Sequence, residues 1–137
     1  HARIERDRRW QAEESKRRRK REEAIHRAEQ LLLSVLSEEQ REQFRKERSF
    51  VVEGRKARYR VRSGRTGNVD VIGRDGRVTH SLCAHPRDDV PNADTMVAQK
   101  LMLETDEDHF ERLANRHAAW GGRQLILPPL PEPLAMQ

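Results

Sequence analysis

Residues 49–83, SFVVEGRKARYRVRSGRTGNVDVIGRDGRVTHSLC, decide the fold. Four short runs stand out in this stretch: 49–53, 57–62, 68–72 and 77–83. Each is rich in Val, Phe, Tyr, Ile or Leu, and residues with turn chemistry separate them. Gly54 punctuates the first gap, Ser63-Gly64-Arg65-Thr66-Gly67 the second, and Gly73-Arg74-Asp75-Gly76 the third. An Asp-Gly pair between alternating runs is a strong hairpin signal. The spacing predicts a four-stranded antiparallel meander.

The chain around this stretch reads as helix. Residues 2–36 contain neither Pro nor Gly and are rich in Arg, Lys, Glu and Ala, which favour helix. Up to Glu23 the apolar positions are only Ala2, Ile4, Trp10 and Ala12, so no continuous stripe forms. From Ala24 the stripe appears: Ala24, Ile25, Ala28, Leu31, Leu32, Val35 and Leu36. A helix whose second half alone can bury a face should project its first half. Ser37-Glu38-Glu39-Gln40 is a capping box that starts a second helix reaching about Glu47, with Phe44 as its apolar anchor. Past the meander, Met96, Val97, Leu101, Met102 and Leu103 mark a helical face. Thr105-Asp106-Glu107-Asp108 caps a continuation through Phe110, Leu113 and Ala114, ended by Gly121-Gly122. Residues 125–134 are apolar and proline-rich, which predicts an extended tail. The expected fold is α+β: a basic helical arm (1–36), a small α+β domain (37–120) and an extended C-terminal arm (121–137).

Composition agrees with a small core bearing solvated or partner-bound extensions. Of 137 residues, 34% are hydrophobic and 37% charged, and six are aromatic. The charge is sorted by position. Residues 1–24 carry ten Lys/Arg and six Asp/Glu, net +4; 25–50 are neutral; 51–87 carry nine and three, net +6; 88–137 carry four and nine, net −5. A basic surface recruits polyanions, and an acidic one can recruit or mask it. The single cysteine, Cys83, excludes an internal disulfide. No apolar run is long enough to span a bilayer, and the N-terminus is too charged for a secretory signal. A start at His1 rather than Met is expected of a processed product or a part of a longer protein.

Two constellations are candidates for binding. In Lys56-Ala-Arg58-Tyr-Arg60-Val-Arg62, strand alternation puts Lys56, Arg58, Arg60 and Arg62 on one face, with Tyr59 and Val61 on the other. Four neighbouring cations repel unless an anion meets them. They would contact phosphate or an acidic partner, or else form a solvated face or pair with the acidic helix from Glu104 to Glu111. In the second, Lys16, Arg17, Arg18, Arg19, Lys20 and Arg21 encircle a helix, so no single neighbouring face can neutralise them all. Glu13, Glu14, Glu22 and Glu23 flank the run and dilute its field through i,i+4 pairing.

Catalytic and cofactor chemistry finds no support. His80, Cys83 and His85 lie close together, with Asp88 or Asp89 nearby, but a structural zinc site commonly needs paired ligand clusters, and a strand splays His80 away from Cys83. Cys83 and His85 lack an orienting third group for nucleophilic catalysis. Cys83 is expected to be a buried or partly buried strand thiol, free of metal and without a catalytic role. Asp88, Asp89 and the Glu104–Asp108 cluster fit turn and helix-start electrostatics. No glycine loop precedes a helix as phosphate binding requires. No cofactor and no metal are expected. The PxxP at Pro128–Pro131 is surrounded by Leu and Ile, so the tail is expected to lie along its own domain or a neighbour.

The block from Tyr59 to Arg116 resembles small uncharacterised proteins encoded in tailed-bacteriophage genomes. The residues that carry the likeness are Tyr-Arg-Val (59–61), Gly-Asn-Val (67–69), Leu-Cys-Ala-His-Pro (82–86), Val-Pro-Asn-Ala-Asp (90–94) and Ala-Gln-Lys-Leu-Met-Leu-Glu (98–104), with Phe110 and Ala114-Asn115. It covers under half of the chain and assigns no chemistry. It implies a viral structural or genome-associated protein, placed in a virion or the host cytoplasm. The expectation is a non-enzymatic assembly protein with protein subunits of a larger assembly as partners. The alternative is a nucleic-acid-binding protein making sequence-independent phosphate contacts through Lys16–Arg21 and the Lys56–Arg62 face. No membrane is involved in either.

Overall fold

A computed structural model describes residues 1–64, 66–84, 90–119 and 121–132. The first helix, α1 (Ala2–Val35), is a single element, and α2 (Glu38–Glu47) follows it. The break between them is the capping box: Ser37 Oγ accepts from the Gln40 amide at 3.1 Å, and Gln40 Oε1 accepts from the Ser37 amide at 3.0 Å. At its other end α2 closes on Arg48, in left-handed conformation, with the guanidinium 4.4 Å above the Phe44 ring.

The meander follows with the expected punctuation: β1 (Ser49–Glu53), β2 (Arg58–Arg62), β3 (Val69–Ile72) and β4 (Val78–Cys83). Each pairs antiparallel with the next, and the register slips by one residue at Val71/Ile72 opposite β4. Two helices come next, α3 (Asn92–Thr105) and α4 (Glu107–Leu113), the latter capped by the Asp106 side chain on the His109 amide.

The expectation that helix runs on towards Gly121 is corrected. The chain turns extended at Ala114, and Asn115–Ala118 forms a fifth strand, β5, antiparallel to β4. The sheet therefore has five strands in the order β1-β2-β3-β4-β5, not four. The cause is the outer edge of β4, whose backbone groups require partners. All four residues of β5 are exposed, so hydrogen bonding and not burial makes this strand.

The core lies between one sheet face and the helices. Phe50, Val52, Tyr59, Val61, Val69, Val71 and Leu82 point into it, met by Ala28, Leu32 and Leu36 of the α1 end, Phe44 of α2, Met96 and Leu103 of α3, and Phe110 of α4. Inside it, the amides of Asn68 and Gln99 exchange two hydrogen bonds (2.7 and 3.0 Å), and Asn68 also donates to the Arg62 carbonyl at 3.1 Å. Every polar atom taken into that spot is thus answered.

The opposite edge strand, β1, is closed by side chains. Gln43 Oε1 accepts from the Val51 amide and Gln40 Nε2 donates to the Val51 carbonyl, both at 2.9 Å. A glutamine pair from α2 thereby occupies the edge groups that another strand would take.

Beyond Gly122 the chain returns to the β3–β4 hairpin. The Val78 amide donates to Gln124, Ile126 and Leu127 amides donate to the Gly76 carbonyl, and the Leu130 amide donates to Arg74. Arg58 Nη1 reaches the Pro128 carbonyl at 3.1 Å. Residues 133–137, the end of the proline-rich segment, lie outside the described residues. Gly76 sits at φ +81, where a Cβ would overlap the Leu127 carbonyl. Gly76→Ala should therefore loosen the 124–130 segment and cost about 1–3 kcal/mol. Urea unfolding gives the cost, and faster proteolysis after Leu125 gives the release. An unchanged midpoint with an unchanged cleavage rate would show that the segment is not seated on this turn.

Candidate interaction site

The arm is the first 22 residues of α1. Residues 2–23 are all exposed except Glu14, which is half-buried. At about 1.5 Å per residue this is roughly 33 Å of helix outside the core. Only Ala28 and Leu32 of α1 are buried. The sparse apolar pattern explains it: Ile4 and Trp10 stand alone, 58% and 62% exposed.

Local charge pairing supports the helix without hiding its charge. Arg17 pairs with Glu13 (4.0 Å) and Glu14 (3.5 Å), and Arg21 with Glu14 (3.6 Å). Such exposed pairs contribute about 0.3–0.5 kcal/mol each. Lys16, Arg18, Arg19 and Lys20 form no ion pair among the described residues. The six-residue cationic run is thus two paired and four unpaired groups.

The Lys56–Arg62 stretch is divided differently. Alternation holds from Arg58 onward, with Tyr59 and Val61 buried on the helix side and Arg58, Arg60 and Arg62 on the other face. Opposite them on β3 is Asp70, fully buried. Arg60 Nε and Arg62 Nε donate to Asp70 Oδ2 at 2.9 and 2.8 Å, Arg62 Nη2 to Oδ1 at 3.1 Å, and Ser81 Oγ to Oδ1 at 2.8 Å. Arg62 also donates to the Gly67 carbonyl. Two of the expected contact cations are therefore spent on one interior carboxylate. Burial pushes the Asp70 carboxyl up, but the hydrogen bonds from Arg62, Ser81 and Arg60, with the Arg62 charge, outweigh it and hold the group below the ordinary aspartate range.

Lys56 is in the turn before β2 and not on the strand face. It pairs with Asp108 of α4, which raises the ammonium's pKa and lowers that of the carboxylate. The neighbouring Glu107 does more. Its carboxylate accepts from the backbone amides of Arg55 (2.7 Å), Lys56 (3.2 Å) and Ala57 (3.3 Å), and from the Tyr59 hydroxyl. The same hydroxyl also lies 3.1 Å from a Glu111 carboxylate oxygen, so its one proton is shared between the two carboxylates. Burial raises Glu107, yet Tyr59 and the three amides bring its pKa below the usual value. Burial and then Glu107 raise the Tyr59 phenol, so it stays protonated. Gly54 has no Cβ because that space belongs to the Glu107 carboxylate and the Tyr59 ring.

Among the described residues no three His, Cys, Asp or Glu side chains approach one another as metal ligands would. His80 shares a hydrogen bond between Nδ1 and Thr79 at 2.8 Å and faces Arg116 through Nε2 at 3.2 Å. Burial and then the Arg116 charge lower its pKa. Cys83 is half-buried. His85, Asp88 and Asp89 lie outside the described residues, as does Trp120. No described helix is long and apolar enough to cross a membrane.

Asp70 and Glu107 were not recognisable as anchors from sequence. Asp70 had one signal, a carboxylate alternating with Val69 and Val71 in a run otherwise made for burial. For Glu107 the only signal was the acidic run Glu104–Glu111 as a partner for the Lys56–Arg62 stretch, which Lys56 and Asp108 realise. Its own partners, backbone amides fifty residues earlier, carry no side-chain pattern. Comparison of the chain with protein-family models, curated proteins and solved structures returns no match.

The two depressed carboxylates that are buried, Asp70 and Glu107, link folding to acid. Each binds fewer protons folded than unfolded, so its stabilisation is present above about pH 4.5 and is lost as pH falls through the lower folded value. Urea unfolding from pH 7 to pH 3 should show this loss. Asp70→Asn should destabilise by about 3 kcal/mol at pH 7, by stranding two half-buried guanidinium groups, and should flatten the acid limb. An acid limb as steep as wild type in that variant would remove Asp70 from the account.

Proposed function

We propose that this protein is a non-enzymatic assembly protein, a minor or accessory component of a bacteriophage virion, that docks through its N-terminal helical arm. One observation carries the reading: some 22 residues of continuous helix stand outside the protein's own core. An isolated helix of this length and polarity is marginal in water, and a partner surface supplies what its own domain does not. Elements of this kind add contact area between subunits of large assemblies. The viral setting rests on the resemblance of residues 59–116.

The C-terminal tail supports docking less than the arm does, because residues 124–130 are already hydrogen-bonded to the β3–β4 hairpin. Nucleic-acid contact through the Lys56–Arg62 face likewise loses support. Arg60 and Arg62 are held by Asp70, and Lys56 by Asp108. The unpaired cations of the arm keep that reading for Lys16–Arg21 alone.

Ala12→Pro tests the role of the arm. Proline inside a helix costs about 3 kcal/mol, and here the cost falls on a segment that makes no core contact. The urea midpoint of the domain should stay at the wild-type value, while incorporation into fast-sedimenting particles, in cells producing the whole assembly, should fall at least tenfold. Normal incorporation of the variant would refute arm docking. Free, non-particulate wild-type protein in the same cells would refute the assembly role.

A further inference from the structure

The arm's four unpaired cations are distributed around its axis in a way that restricts what can meet them. A helix turns about 100° per residue. Lys16 and Lys20, one turn apart, therefore share a flank. Arg18 stands about 160° round from each, on the opposite flank, and Arg19 lies between. Arg19, at the middle of this arc, faces away from Ala28 and Leu32, the residues of α1 buried in the core, whereas Arg18 lies within about 40° of the Leu32 azimuth. A flat acidic surface touches one flank and leaves the other in water. Neutralising both flanks takes two anionic walls about a helix diameter apart.

The major groove of B-form DNA has those walls. It is about 12 Å wide and admits an α-helix of about 10–12 Å diameter, whereas the A-form groove of duplex RNA is too narrow. We infer that the arm lies along the major groove of duplex DNA, with Lys16 and Lys20 on one phosphate wall and Arg18 on the other. The inference rests on the arm being the docking element.

A second copy of the chain is a poorer occupant. Its arm has the same sign, +4 over residues 1–24. Its acidic corner is already engaged, Glu104 by Lys100, Glu107 by the 55–57 turn and Asp108 by Lys56. An acidic protein partner would need apolar anchors at the contact. The arm has two large exposed apolar residues before Ala24, Ile4 and Trp10. Trp10 lies eighteen residues, five full turns, before Ala28, so it shares the side of Ala28 and points away from Arg19. Ile4, about 60° from Arg19, is a single small anchor about four turns before it.

The test is binding of the full chain to a labelled random-sequence DNA duplex, followed by anisotropy from about 50 to 200 mM salt. Each phosphate contact adds about 0.9 to the slope of log K against log salt. Lys16→Gln/Lys20→Gln should lower the slope by about 2, Arg18→Gln by about 1, and Lys46→Gln, on α2 of the domain, by nothing. Circular dichroism of each variant confirms that the helix persists. An RNA duplex of the same sequence should bind more weakly. Absence of DNA binding at the lowest salt, equal slopes in all variants, or tighter binding to RNA overturns the inference. If DNA does not bind while Ala12→Pro still blocks incorporation into particles, arm docking stands and its partner is an acidic protein. If Ala12→Pro protein assembles normally, arm docking fails independently of the DNA result.

Discussion

The Asp70 carboxylate is the interaction on which the sheet depends. It is fully buried in the central strand, and two arginines of β2 and a serine of β4 converge on it. A lone buried carboxylate is costly, and two adjacent guanidinium groups repel. Together they satisfy one another, and in doing so they tie three successive strands across their hydrogen-bond ladders. The register is specified twice over, by the apolar residues on the helix side and by this charge cluster on the other. A one-residue slip of β2 would turn Arg60 and Arg62 into the core and leave Asp70 unmatched.

The perimeter of the sheet is organised by the same means. At β1, the glutamines of α2 take up the edge amide and carbonyl of Val51. At the β1–β2 turn, Glu107 gathers three amides and the Tyr59 hydroxyl, so α4 is fastened by hydrogen bonds to a turn whose only apolar side chain is Ala57. At the β3–β4 turn, the returning chain takes the Gly76 carbonyl. A domain with this little hydrophobic content uses side-chain hydrogen bonds where a larger one would use area.

Local signals were legible in the sequence and distant ones were not. The capping box at Ser37, the strand at 49–53 and the hairpin at Gly73–Gly76 are each written in adjacent residues, and the structure places them there. The projecting first half of α1 is equally local, since it follows from where the apolar stripe begins. β5 was not legible, because Asn-Arg-His-Ala has no strand periodicity and pairs only because β4 offers an edge. The cations of β2 were legible as a face, but their partner was not. Alternation says which side a residue takes and is silent about what the next strand but one holds opposite it. The division of the Lys16–Arg21 run into paired and unpaired groups depends on rotamers, which composition does not contain.

The continuity of α1 has a mechanical consequence. No glycine or proline interrupts it between Ala2 and Val35, and its last turns are fixed in the core at Ala28 and Leu32. The helix is therefore a lever rigidly joined to the domain, with Trp10 about 27 Å from the fulcrum at Ala28. Whatever fixes the direction of the arm also fixes the orientation of the sheet and the side on which β5 presents its free edge. A small rotation at the fulcrum becomes a displacement of several ångströms at the tip, so repacking around Ala28 and Leu32 would re-aim the whole domain relative to anything the arm holds.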